Sequence, residues 1–525
     1  MERIAPLVFP ILALQMIRAI QLVFLLACCG LSSAQQFELL YDYNNFSNEG
    51  STIKATNNGY IITHPATDIT EMRLTTLVSG FNFEGQLEWN VSLTDTSNLY
   101  TQLRPNFNII PIPNQDTYFI ASNYTIALPN HTVPCLMKYT SSGEALDTIY
   151  INAISAYSVK IVGGIYTQFG IYLIGNIDLY NPSTDLILIK CDTGGNYVWH
   201  QNFNQGLVSA PLFIADGGSG ILVGGFYYET VNDQTNDYTK QFISRFRYND
   251  GLRLWTSVYS VPQYACYGAV NTVNLPNSNF LFMGNTRAGG GRQPLLGEIN
   301  RINGDTIWTR TYLHPDTTNW PHNFKRLSNG DYLVVGEAYY DVIPEGWFGV
   351  DNVAFMMRLD SGYNLLWKHI YYPEDYAQAD WSNAYCRLND FIENDDGSIT
   401  ALGMVFTYTG DGPQSGFVQD SYLIRVDSEG CLIEGCNEVG IARLEQTNEL
   451  NIYPNPANEQ LNIQFPHIDK WQVSIYNMQG ASVREESANQ LLQYSVNIQE
   501  LPSGIYTVLC KDHKGMVLSE KVVKQ

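Results

Sequence analysis

The densest candidate chemistry lies between residues 312 and 381. Aromatic rings come there in groups: Tyr312 and Trp320, then Tyr339, Tyr340 and Trp347, then Tyr372, Tyr376 and Trp381. Carboxylates are interleaved, among them Asp316, Asp341, Glu345, Glu374, Asp375 and Asp380. A flat ring stacks on the C–H face of a sugar and a carboxylate accepts from its hydroxyls, so the mixture suits a glycan. Two carboxyls about 5 to 9.5 Å apart across a cleft would suit glycoside hydrolysis. The competing use of the same rings is structural, because aromatics in long connections most often fold back and pack.

Other chemistry is sparse. No serine sits in a GxSxG elbow, which leaves no nucleophile to nominate. Gly289-Gly290-Gly291 lacks the Lys-Ser/Thr and the helix of a phosphate cradle. His314 and His322 are the one close histidine pair, and they flank a proline rather than sharing a helix face. The cysteines beyond residue 34 show no CxxC or Cys/His ligand spacing, so neither a metal nor a cofactor is expected; Cys431 and Cys436 are near enough for a local disulfide. With 29 Lys and Arg against 51 Asp and Glu, the net charge is −22. A surface this acidic repels phosphate backbones and excludes nucleic acid as a partner.

The elements that must position the aromatic groups are repeats. A turn followed by a short apolar strand begins near residues 57, 114, 168, 217, 276, 328 and 394, as in Ser328-Asn329-Gly330-Asp331 before Tyr332-Leu333-Val334-Val335. Alternating with it is a glycine turn followed by a strand bearing Trp, at Trp89, Trp199, Trp255, Trp308 and Trp367. Asp147 and Glu434 stand in the Trp place in the other two units. Gly362 to Trp367 reads as the same pattern with one extra residue. Each unit is long enough for four strands, and four-stranded units repeated about an axis are propeller blades. The expected fold is all-β: a seven-bladed β-propeller over residues 35–440, each Trp packing between neighbouring blades. Phe37 to Tyr43 is a candidate strand for closing the last blade onto the first.

The repeats resemble the quinoprotein-like, DSxGxxxW-type propeller repeats, in Asp360-Ser361-Gly362 to Trp367 and in Asp192 to Trp199. The resemblance concerns blade architecture; the quinone cradle and calcium site of the dehydrogenases in that group have no counterpart residues here. In such a meander the turns after the first and third strands share one rim, and the remaining connections share the other. Those remaining connections vary most in length, and loops on a rigid scaffold carry function. Trp320, Tyr339, Tyr340, Trp347, Tyr372, Tyr376 and Trp381 are therefore the expected ligand-binding residues.

The two ends of the chain read as addresses. Arg3 and Arg18 precede an apolar run that closes on Ser32-Ser33-Ala34, the pattern of a signal peptide over residues 1–34. After a linker at 441–448, residues 449–525 alternate as strands, with Leu461, Ile463 and Phe465, then Trp471, Val473 and Ile475, then Tyr506, Val508 and Cys510. Such a module is expected to be a small immunoglobulin-like β-sandwich. Tyr453-Pro454-Asn455-Pro456, the VSIYNMQG run ending at Gly480, Leu501-Pro502-Ser503-Gly504-Ile505-Tyr506 and the basic end from Lys521 together resemble the type A sorting domain of the type IX secretion system of Bacteroidetes. That resemblance implies a partner, the type IX secretion machinery, and a secreted or surface-attached protein. The functional expectation is a monomeric, non-enzymatic binding or adhesion module for glycan or protein. The alternative is an exported polysaccharide-degrading hydrolase or lyase, which a cleft joining two acids, or an acid and a histidine, would favour.

Overall fold

The computed structural model describes residues 36–41, 46–48, 50–68, 73–93, 109–126, 131–154, 158–177, 185–206, 208–229, 240–259, 270–288, 291–312, 317–340, 350–373, 384–409, 416–432, 450–478, 481–512 and 517–525. The chain divides into two compact units, residues 1–436 and 437–525. The signal segment, Trp347, Tyr376, Trp381, Cys436 and Gly480 lie outside the described residues.

The first unit is a succession of antiparallel four-stranded meanders. Meander 1 runs Thr52–Ala55, Gly59–Asp68, Arg73–Asn82, Leu87–Ser92; meander 2 runs Ile109–Pro111, Thr117–Ile126, His131–Thr140, Ala145–Tyr150. Meander 3 is Val159–Thr167, Gly170–Ile177, Asp185–Cys191, Tyr197–Phe203; meander 4 is Val208–Asp216, Ile221–Tyr228, Lys240–Phe246, Arg253–Tyr259. Meander 5 is Asn271–Asn274, Phe280–Ala288, Gly291–Ile299, Thr306–Thr311; meander 6 is Thr317–Arg326, Tyr332–Tyr340, Val350–Leu359, Leu365–Tyr371. Meander 7 takes Ala384–Glu393, Ile399–Thr409 and Gly416–Val426 from its own stretch, and its fourth strand, Phe37–Tyr41, from the start of the unit. A short parallel pairing of Val350 and Asn352 with Ala384 and Tyr385 joins meanders 6 and 7 into one eight-stranded sheet.

Continuous apolar runs such as Tyr332-Leu333-Val334-Val335 follow from burial on both faces. Tyr332 and Val334 pack toward meander 5, Leu333 and Val335 toward meander 7. The same alternation joins meanders 1 to 2, 2 to 3, 3 to 4 and 4 to 5. A further core closes the circuit, with Leu402 and Leu423 of meander 7 and Phe37, Leu39 and Tyr41 against Ile53, Tyr60 and Ile62 of meander 1. Each fully buried aliphatic or aromatic side chain contributes about 1.5–3 kcal/mol. The unit is propeller-like, its sheets held face to face by these shared cores.

Two devices tie several of the sheets to the next. Trp89 Nε1 donates to the Ser141 carbonyl (3.1 Å), Trp199 to that of Asn249 (2.7 Å) and Trp255 to that of Arg301 (3.1 Å), each in the following meander's third turn. The turn glycine lies under the indole: a Cβ on Gly143, whose φ is +84°, would come within 2.5 Å of Trp89. The second device is a basic residue near the end of the third strand that donates to the same neighbouring turn. Lys190 reaches the Tyr248 carbonyl (3.0 Å), Arg245 that of Arg301 (2.6 Å) and Arg425, across the closure, that of Phe83 (2.7 Å).

One detail of the expected repeat is corrected. Asp360 Oδ1 accepts from the N–H groups of Gly362 and Asn364 (both 2.8 Å), as Asp192 Oδ1 does from Gly194 and Asn196. Tyr363 (φ +67°) therefore stands where Gly195 (φ +96°) stands, and no residue is inserted before Trp367. A side chain is tolerated there because Trp308 turns aside, donating to Glu298 Oε2 (2.7 Å) and lying 5.0 Å from the Tyr363 ring. In the last meander Phe37–Tyr41, the strand expected to close the ring, holds the edge of Gly416–Val426, and Glu434 lies outside the described residues. Leu39 and Phe37 then pack on Gly85 as the tryptophans pack on other turns.

The second unit is a five-stranded sheet. Gln460–Tyr476 pairs along its length with Ser482–Asn497, and on its other side with Asn451–Tyr453 and then Gly504–Lys511, which carries Val517–Lys524 at the edge. All nine alternating residues from Leu461 to Cys510 named above are buried in one core, with Phe465 stacked on Trp471 at 4.9 Å.

Candidate ligand-binding site at the channel mouth

The first strands of the meanders line a channel of about 620 Å³. In four of them the register slips at the channel wall, at Val162, Leu212, His322 and Asn389. A bulge re-aims one side chain, and all four line the cavity.

At the end of the channel from which connections 313–316, 341–349 and 374–383 depart, meanders 5, 6 and 7 bring a polar cluster together. Glu337, 1 % exposed, is its centre. His322 Nε2 lies 3.3 Å from Glu337 Oε2, Tyr339 donates to Oε1 (3.2 Å) and Tyr385 donates to Oε2. Arg387 in turn donates to the Tyr385 oxygen (3.2 Å). Burial alone would raise the Glu337 carboxyl, but the adjacent His322, the bond from Tyr385 and the charge of Arg387 outweigh it and hold the group below its ordinary range. Burial, and then the Glu337 charge, push the Tyr339 phenol up to about 12 and Tyr385 higher still, so both remain donors at neutral pH. Trp320 stacks beside His322 at 5.8 Å and carries the Arg292 guanidinium 3.7 Å above its ring.

Deeper in the channel, Asp390 accepts from Lys325 (2.5 Å), Asn323 (2.7 Å) and the Phe391 N–H (2.9 Å) on one oxygen, and from the Ile53 N–H (3.1 Å) on the other. Lys54 stands 3.8 Å from that second oxygen. Burial opposes the Asp390 charge, yet the two lysines and the N–H donor keep its carboxyl below the ordinary range. Lys325, desolvated more than Asp390 compensates, is brought down to about 8.

Of the residues expected at the site, Trp320 and Tyr339 are brought into this cluster. Tyr372 lies at the same end of meander 6, half-buried against the core shared with meander 5. Tyr340 ends its strand there, with its side chain outside the described residues, as are Trp347, Tyr376 and Trp381. Glu337, Tyr385, Arg387, Lys325 and Asp390 were not singled out from sequence. Their one signal is a charge inside a strand that the repeat makes apolar, as in VVGEAYY and LNDFIE. Among the described residues no three His, Cys, Asp or Glu side chains gather as a metal site would need. Cys431 is disulfide-bonded, its partner lying outside the described residues.

In the second unit the sorting motif has a visible task. Asn455 accepts from the Val523 N–H (2.9 Å) and donates to the Lys521 carbonyl (2.8 Å), pinning the last strand at both groups. Pro454 and Pro456 flank it on the surface; Tyr506, buried at its strand, donates to the Pro502 carbonyl (2.8 Å); and Gly504 opens that strand. Tyr453 closes the strand before it.

Residues 451–525 match the secretion system C-terminal sorting domain. The protein is therefore exported by type IX secretion to the cell surface or the extracellular space. No curated protein matches the chain. Solved structures similar to it in fold include the polysaccharide lyase Uly1, at 9% identity and a TM-score of 0.43 over 72% of this chain and 90% of that one. The β-propeller domain of the Trilobed protease from Pyrococcus furiosus is similar at 9% identity, TM-score 0.39, over 75% of this chain and 98% of that one. The periplasmic gluconolactonase PpgL of Pseudomonas aeruginosa is similar at 11% identity, TM-score 0.39, over 73% and 97%. The activities in those names are those proteins' own.

Proposed function

We propose that the exported protein is a binding or adhesion module: a seven-bladed propeller that recognises glycan at the channel mouth of its last three blades, followed by a small sandwich that serves as the export tag. The circuit of shared cores and the N-terminal strand in the last meander support seven blades and closure. The observation that carries the binding reading is the convergence of Trp320, Tyr339, Tyr385, Arg292 and Arg387 at the end from which the long connections depart. Tyr340, Trp347, Tyr372, Tyr376 and Trp381 extend that surface in the proposal. The test is retention of the exported chain on a panel of immobilised polysaccharides. At least one member retains it, and Trp320→Ala weakens retention roughly tenfold; failure of every member overturns the reading.

A second reading is favoured by one contact. His322 Nε2 lies 3.3 Å from the Glu337 carboxylate, and the tautomer that carries its proton on that nitrogen keeps Nδ1 as a proton acceptor, as a general base requires. Release of oligosaccharides from a retained polymer, abolished in His322→Gln, would make the protein a lyase or hydrolase. Retention without products supports the binding module.

A further inference from the structure

The channel behind the mouth has two unlike walls. Meanders 3, 4 and 5 contribute Val162, Leu212 and Val270; Leu212 remains 36 % exposed although it lies inside the ring of sheets. Meanders 1, 6 and 7 contribute Lys54, Lys325 and Arg387 against a single lining carboxylate, Asp390. Asp390 is already served by the Lys325 ammonium, Asn323 and two backbone N–H groups. Lys54, 31 % exposed and 3.8 Å from that acid, retains ammonium protons for another acceptor. This is a cationic wall in a chain of net charge −22, facing an aliphatic wall across a cavity of about 620 Å³. That size falls in the usual range for small-molecule pockets, about 300–1,000 Å³, and such sites pair an apolar lining with a few placed polar groups.

We infer that the channel is a second binding site, distinct from the glycan surface, for an aliphatic carboxylate: its chain lies along Val162, Leu212 and Val270, and its carboxylate meets Lys54 and Lys325. Neither half suffices alone. A short carboxylate gains only a charge contact that water and salt weaken, and a neutral alcohol of the same length brings no negative charge to Lys54. The inference does not rest on the glycan reading, since Lys54, Lys325, Val162, Leu212 and Val270 take no part in the cluster at the mouth.

The test is calorimetric titration of the exported chain with decanoate, acetate and decanol. Decanoate binds, and acetate and decanol bind roughly tenfold more weakly or less. Lys54→Met weakens decanoate by a similar factor and leaves decanol unchanged. Leu212→Asp, at a position already exposed to the channel, weakens decanoate without relying on the ion cluster. Both variants are also run on the polysaccharide panel, where they should behave as the parent protein. Absence of decanoate binding, equal binding of acetate or decanol, or parental affinity in both variants overturns the site; loss of polysaccharide retention alone bears on the glycan reading and leaves this one standing.

Discussion

His64 makes the closure of the ring sensitive to acid. Its Nδ1 lies 2.9 Å from the Ser421 hydroxyl of meander 7 and its Nε2 2.8 Å from the Ser79 hydroxyl of meander 1, with Tyr41 stacked at 5.4 Å. The imidazole is fully buried, and desolvation brings its pKa down to about 3. The unfolded chain protonates the same residue near pH 6.5, so it binds more protons than the folded one below that point. Stability from this group is therefore full above pH 6.5 and is lost as pH falls toward about 3. The loss is about 1.4 kcal/mol per pH unit, or about 2 kcal/mol at pH 5. Denaturant unfolding of the exported chain at pH 7, 6 and 5 measures it. His64→Gln cannot ionise: it should be less stable at pH 7 by about 1–2 kcal/mol, through one lost hydrogen bond and poorer packing, yet its stability should fall less steeply with acid. Other histidines titrate in both proteins and cancel in the comparison. Equal pH slopes for parent and variant would refute the reasoning.

Removing residues 35–41 takes away the strand paired with Gly416–Val426 and the packing of Phe37 and Leu39 on Gly85. It should cost about 3–5 kcal/mol, and an unchanged melting temperature would contradict closure. Arg425→Met strips the Phe83 carbonyl and Asp396 of a donor and should cost about 2–3 kcal/mol in denaturant unfolding. Asn455→Ala frees the last strand at two backbone groups and should weaken the second unit by about 1–2 kcal/mol. Less protein should then reach the surface and medium, measured by fractionation against the amount retained in the cell.

What was legible in the sequence is what repeats or is local. The apolar second strands and glycine turns recur because every sheet meets its neighbours in the same way, and the sorting motif is legible because Asn455 performs a local task on the last strand. The basic clamp also repeats, in Lys190, Arg245, Arg425 and Arg358, which donates to the Ser428 carbonyl, and its spacing was available to be read. The polar cluster was not legible. Glu337 meets His322 from the neighbouring strand but Tyr385 from the next meander, and Asp390 meets Ile53 and Lys54 from the far end of the unit. The Tyr385 contact exists only once neighbouring meanders pack, and the Ile53 and Lys54 contacts only once the ring is closed. Tyr363 hid its register for a different reason: a tyrosine occupies a left-handed turn position that glycine normally marks.

The most direct test of the account is backbone hydrogen exchange of the exported chain with and without the polysaccharide that retains it. The account predicts slowed exchange in peptides covering residues 317–322, 337–340 and 384–387, at the mouth of the channel. Unchanged exchange there, with slowing confined to the opposite turns at 328–331 and 394–398 or to residues 451–525, would contradict it.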